Sequence, residues 1–171
     1  MTADRVALDF DAYVAAHGSG LERYAYVLTG QPASAEDLVQ TALMKAYRRW
    51  RRVSRVEFPD AYVRRMVTNA FLDLHRHRSN AEWPLADIPD SPGGPDPAVE
   101  VVHRDQIARA LTSLSAHQRA VIVLRHYLGL SDADIAAELG CGESTVRSHA
   151  SRALQRMREY LTSVGLQEKE R

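Results

Sequence analysis

Four arginines, Arg147, Arg152, Arg156 and Arg158, fall between Ser144 and Arg158 with no acid among them. Val146, Ala150, Ala153, Leu154, Met157 and Leu161 recur in the same stretch at helical spacing, so Arg147, Ser148, Ser151, Arg152 and Gln155 must face away from an apolar stripe. Such a face suits duplex DNA. A guanidinium grips guanine O6 and N7 with two hydrogen bonds, while serine and glutamine reach other base edges. Small serines also let a helix lie deep in a groove. A helix with a merely solvated basic face would show the same pattern. What favours DNA is the stretch in front. Leu128 to Arg158 reads as helix, glycine-centred turn and second helix, with Ser131 to cap the first, Gly140 to end it and Thr145-Val146 to open the second.

A second basic block lies some eighty residues upstream. From Lys45 to Arg78 there are ten Lys or Arg and three Asp or Glu. Trp50, Phe58 and Tyr62 are interleaved with these cations, a mixture that suits single-stranded or distorted nucleic acid, where unstacked bases meet aromatic faces. Trp50 and Tyr62 fall on apolar stripes and are expected in the core. Phe58, beside Pro59 at a loop–helix junction, is not tied to a stripe. The whole chain is neutral, so charge is informative only through this segregation.

No residues for catalysis are evident. The seven histidines are dispersed, without the converging ligands a zinc site needs. There is no glycine-rich phosphate loop and no nucleophile elbow. The expectation is a non-enzyme with neither metal nor cofactor.

The elements that must position these surfaces are all helical, and no strand-like alternation occurs. In 171 residues, two small helical domains are expected. In the first, residues 6–78, Phe10, Tyr13, Val14, Leu21, Tyr24, Ala25 and Leu28 predict a helix, bent at His17–Gly20. Ser34 reads as the N-cap of a second helix with Asp37 completing a capping box, and Leu38, Val39, Ala42, Leu43, Ala46, Tyr47 and Trp50 form its apolar face. A basic break at Arg51–Arg55 precedes a third helix opening at Pro59. Ser79–Pro97 holds five prolines and two glycines and reads as a linker, extendable to roughly 65 Å. From Ser79 to Glu100 there are five acids and no Lys or Arg. In the second domain, residues 98–161, Ser115–Gln118 reads as a capping box and Gly129 as a helix end; 162–171 is left as a tail. Cys141 is the sole cysteine, so no intrachain disulfide can form. The sequence shows neither a signal-peptide pattern nor an apolar run of membrane-spanning length, and a cytoplasmic setting is expected.

In order and spacing these blocks resemble the extracytoplasmic-function (ECF) sigma factors of the sigma-70 family, over nearly the whole chain. Ala35-Glu-Asp-Leu-Val-Gln40 with Leu43–Trp50 is similar to the family's core-polymerase-binding helix. Ala61-Tyr-Val-Arg-Arg-Met-Val-Thr-Asn69, continued to Arg78, is similar to its −10 recognition and melting helix. Leu130–Gly140 with Thr145–Arg152 is similar to its −35 helix-turn-helix. Tyr62-Val63 stands where many relatives have Trp-Leu, which resembles the actinobacterial SigE-family subgroup. Ser151 departs from a position that is often larger and apolar.

The resemblance implies an all-α protein of sigma region 2, a flexible acidic linker and sigma region 4. It implies RNA polymerase core (clamp coiled coil and flap) and promoter DNA as partners, a monomer when free, and an anti-sigma factor as a further class of partner. Asp37, Leu38, Gln40, Thr41 and Met44 would bind polymerase. Arg51, Arg52, Arg55, Phe58, Arg65, Asn69, Arg76 and Arg78 would hold the −10 element, with flipped-out non-template bases at the Arg51–Phe58 loop and Asn69. Ser144, Thr145, Arg147, Ser148, Ser151, Arg152 and Arg156 would read the −35 element, and the linker would run in the polymerase's RNA channel. Two other readings fit parts of the pattern: a conventional helix-turn-helix regulator, and a polymerase-binding decoy that does not open promoters.

Overall fold

The computed structural model describes residues 9–80 and 106–169, of which 77–80 and 165–169 are described by backbone alone. Every regular element among them is a helix. The chain separates into two units, residues 1–72 and 73–171.

In the first unit, α1 (Phe10–Thr29) is capped by Asp9, whose carboxylate accepts from the Ala12 N–H, and ends at Gly30 in the left-handed conformation, φ 71°. The helix runs unbroken through His17–Gly20. Tyr13, Leu21, Tyr24, Ala25 and Leu28 are all buried on one stripe that crosses the glycines, and packing along that stripe outweighs their weak helix preference.

α2 (Pro32–Arg48) starts two residues before the expected cap. Pro32 takes the first turn, and Gln31 stands at the N-cap without a side-chain cap bond. Proline brings a preset φ and lacks an N–H that would otherwise need a partner there. Ser34 therefore lies inside the helix, its hydroxyl donating to Gln31 Oε1 at 3.4 Å, and no Ser34–Asp37 capping box forms. The expected break after α2 contains one helical turn, α3 (Trp50–Val53), with Val53 buried. α4 (Pro59–Asn80) opens at Pro59 as expected and buries Val63, Val67, Ala70 and Phe71. Tyr24 Oη and the buried Thr68 Oγ1 lie 2.8 Å apart, tying α1 to α4.

The second unit begins, as described, with α5 over 106–112. α6 (Ala116–Ile122) carries the expected capping box: Gln118 N–H donates to Ser115 Oγ at 3.4 Å and Ser115 N–H to Gln118 Oε1 at 3.2 Å. Arg119, only 7% exposed, donates to the carbonyls of Thr112 (2.9 Å) and Leu114 (3.4 Å), closing the end of α5. α6 does not run on as α-helix to Gly129. Residues Val123–Tyr127 form a π turn in which the Leu128 N–H reaches Val123 O, and Gly129 follows at φ 69°.

α7 (Asp132–Leu139) is capped by Ser131 and ends at Gly140, φ 65°, both as expected. α8 (Glu143–Lys169) opens next to the expected Ser144 and continues through 162–169, where the sequence predicts a tail. Leu114, Ile122 and Ala153 form a buried cluster with Leu111, Leu154 and Met157 against it. The expected linker beyond Asn80, residues 98–105, residues 6–8 and residues 170–171 lie outside the described residues.

Candidate nucleic-acid interface

Along α8, Val146, Ala150 and Ala153 are fully buried, which fixes the outward face. Ser144, Thr145, Arg147, Ser151, Arg152, Gln155 and Arg156 are exposed and Ser148 is half-buried. At about 100° per residue, Ser148 and Gln155 lie near the middle of this face, with Arg147 and Arg152 on opposite flanks. Two members already have partners on their own helix: Arg147 with Glu143 at 3.4 Å, and Gln155 with Glu159 at 3.0 Å. Asp132, the first residue of α7, is ion-paired with Arg125 of the π turn, which ties the helix-turn-helix to the element before it.

In the first unit, Arg51, Arg52 and Arg55 are exposed around the loop into α4. Phe58 is 66% exposed, with its ring open to solvent. Arg65, Asn69 and Arg76 fall within about 40° of one another around α4 and are exposed, opposite the buried Val63, Val67 and Ala70. Arg76 is paired with Asp73 at 2.8 Å. The side chain of Arg78 lies outside the described residues. Trp50 is half-buried, at 5.1 Å from Phe10 and 5.0 Å from Tyr13 by ring centroids, and Tyr62 is also half-buried.

A hub not apparent in the sequence supports this loop. The Asp60 carboxylate accepts from Tyr13 Oη at 3.4 Å, faces His17 Nδ1 at 3.5 Å and pairs with Arg64 at 3.2 Å. Burial and the nearby Asp60 charge push the Tyr13 hydroxyl well above the ordinary tyrosine range, so it stays a donor. Tyr13 and Asp60 stand 47 positions apart, and only folding brings them together.

On α2, Asp37, Gln40, Thr41 and Met44 are exposed at i, i+3, i+4 and i+7, a single outward stripe. Gln40 is held by Glu36 at 3.1 Å, and Met44 is 60% exposed. Leu38 corrects the expectation. It is 4% exposed, on the apolar face with Ala35, Val39 and Ala42, and it serves the core.

Among the described residues no group of three or more His, Cys, Asp or Glu side chains could hold a metal. None of the described helices is long and apolar enough to cross a membrane.

Residues 13–81 match the family model for Sigma-70 region 2, and residues 104–157 that for Sigma-70, region 4. RNA polymerase sigma-E factor of Streptomyces coelicolor is 38% identical over 156 residues, 91% of this chain and 88% of that protein. ECF RNA polymerase sigma factor SigL of Mycobacterium tuberculosis is 35% identical over 154 residues, covering 88% of this chain and 87% of SigL. This chain belongs to the ECF sigma factors.

A solved relative agrees. The sigma factor RpoE of Bartonella quintana, determined in complex with the anti-sigma factor NepR, matches with TM-score 0.65 at 30% identity, over 90% of this chain and 97% of that one. In this sigma factor the region 2 match takes in nearly all of α1 and all of α2, α3 and α4. The region 4 match spans α5 to Met157 of α8, so the last turns of α8 extend beyond it.

Proposed function

We propose that this sigma factor binds the RNA polymerase core through the exposed stripe of α2 (Asp37, Gln40, Thr41 and Met44) and directs it to promoters at two points. Arg51, Arg52, Arg55 and Phe58, with Arg65, Asn69, Arg76 and Arg78 of α4, engage the −10 element. Ser144, Thr145, Arg147, Ser148, Ser151, Arg152 and Arg156 of α8 engage the −35 element. The observation that carries the reading is the division of labour on α8. Its apolar side holds the core of its own unit, and every charged or polar side chain suited to base edges is left facing out.

Phe58 supports the −10 assignment, because an exposed ring beside three arginines offers stacking to an unpaired base. The factor performs no bond chemistry itself and works in the cytoplasm, as a monomer until it meets the polymerase. An anti-sigma factor belongs among its partners, as for the Bartonella quintana relative. The test mixes the purified chain with bacterial core polymerase and transcribes a genomic library in vitro. Discrete start sites, with permanganate-reactive thymines near −10, are the expected result. Failure to form a complex with core would overturn the reading, and a complex that never opens DNA would mark a decoy instead.

A further inference from the structure

Beside the reading face of α8 lies a pair of imidazoles that the contacts proposed above do not use. His117 of α6 and His149 of α8 stack with ring centroids 5.8 Å apart and planes 20° from parallel. His117 is exposed and His149 half-buried, and His149 Nδ1 is buried without a hydrogen-bond partner among the described residues. At about 100° per residue, His149 stands roughly 60° around α8 from Arg152, on the side away from Ser148. The pair therefore borders the Arg152 flank of the face. A sugar–phosphate backbone passes along such a flank when a helix lies in the major groove.

The charges around His149 are unbalanced. α8 contributes Arg152, and α6 contributes His117 and Arg119, the latter turned inward to the carbonyls of Thr112 and Leu114. The acids of α7 are Asp132, paired with Arg125, Asp134, bonded to Ser131, and the half-buried Glu138. Glu143 at the head of α8 pairs with Arg147. Burial first, then His117 and Arg152, hold His149 below the usual histidine range, so in the free protein it is uncharged near neutrality. A phosphate would supply the missing counter-charge and accept hydrogen bonds from the charged ring.

We propose that His117 and His149 form a proton-linked phosphate contact at the edge of the −35 site, so that promoter DNA is held more tightly as pH falls. The inference rests on the −35 reading of α8 given above. Its sign follows from linkage. The complex holds a proton that the free chain lacks, so affinity rises with acidity by at most about tenfold per pH unit for each proton taken up. The rise begins as pH drops through the His149 pKa of the complex and levels off below the lowered pKa of the free chain.

The test uses the factor bound to core polymerase and a duplex recovered from random DNA by selection on that holoenzyme. Affinity is measured at constant ionic strength between about pH 8 and pH 5, where imidazole changes charge. The wild type should tighten about three- to tenfold more over this range than either His149→Gln or His117→Gln. In proton spectra of the full chain, the His149 ring should titrate at higher pH with the duplex than without it. Parallel pH profiles for wild type and the exposed-site variant His117→Gln, or a His149 titration that DNA leaves unmoved, would overturn the proton linkage while selective binding stayed intact. If preference at the −35 positions survives replacement of Ser144, Thr145, Ser148, Ser151 and every α8 arginine together, the −35 reading itself fails.

Discussion

Arg152→Ala offers a direct test of what α8 reads. Arg152 is exposed and forms no ion pair among the described residues, so its loss should leave stability within about 0.5 kcal/mol of wild type. A bidentate guanine contact discriminates by about 1–3 kcal/mol, or about five- to 150-fold in affinity. Arg147 provides an internal comparison. It already pairs with Glu143 at 3.4 Å, and giving up such a pair costs about 0.2–0.5 kcal/mol, so Arg147→Ala should lose correspondingly less. The assay is competition binding of wild-type and variant holoenzyme to promoter duplexes changed one base pair at a time through the −35 region. For Arg152→Ala, preference should collapse at one position and persist at the others. A uniform loss at every sequence, with the salt slope reduced by about one, would make Arg152 a phosphate contact and refute the base-reading argument. No change at all would remove it from the interface.

Four further outcomes follow from burial and capping. Asp37→Arg should weaken core-polymerase binding about tenfold or more with helicity by circular dichroism unchanged, because Gln31 and not Asp37 stands at the N-cap of α2; Leu38→Ala should instead lower folding stability by about 2–5 kcal/mol. Phe58→Ala should reduce permanganate reactivity of the −10 thymines, with the loss of about 1–3 kcal/mol expected for one base–aromatic stack, while thermal unfolding stays where it was. Ser131→Ala should destabilise α7 by about 0.5–2 kcal/mol, seen as faster amide exchange at the start of that helix.

What could be read from the sequence was local. Ser115 with Gln118, Ser131 with Gly140, and Pro59 are signals whose partners lie within a turn or two, and the structure has all of them in place. Ser34 misled because the same short segment held two helix starts, and Pro32 fits the first turn better. Leu38 falls on an apolar stripe and within a contact motif at once, and only its burial decides between them. Contacts between distant segments were not legible. Asp60 with Tyr13, and His117 with His149, meet through helix packing that no periodicity announces. The π turn was equally hidden, since Val123–Tyr127 carries the same apolar spacing an α-helix would.

That turn has a consequence for how this part of the chain can change over time. Its i→i+5 closure holds one residue more than an α turn, and the wider turn absorbs that residue where it stands. Deleting a residue between Val123 and Tyr127 would let the turn close to α geometry, with α7 and α8 and every side chain on them intact. The segment should therefore tolerate the loss of one residue, where the α-helical turns around it, at about 100° per residue, would be thrown out of phase.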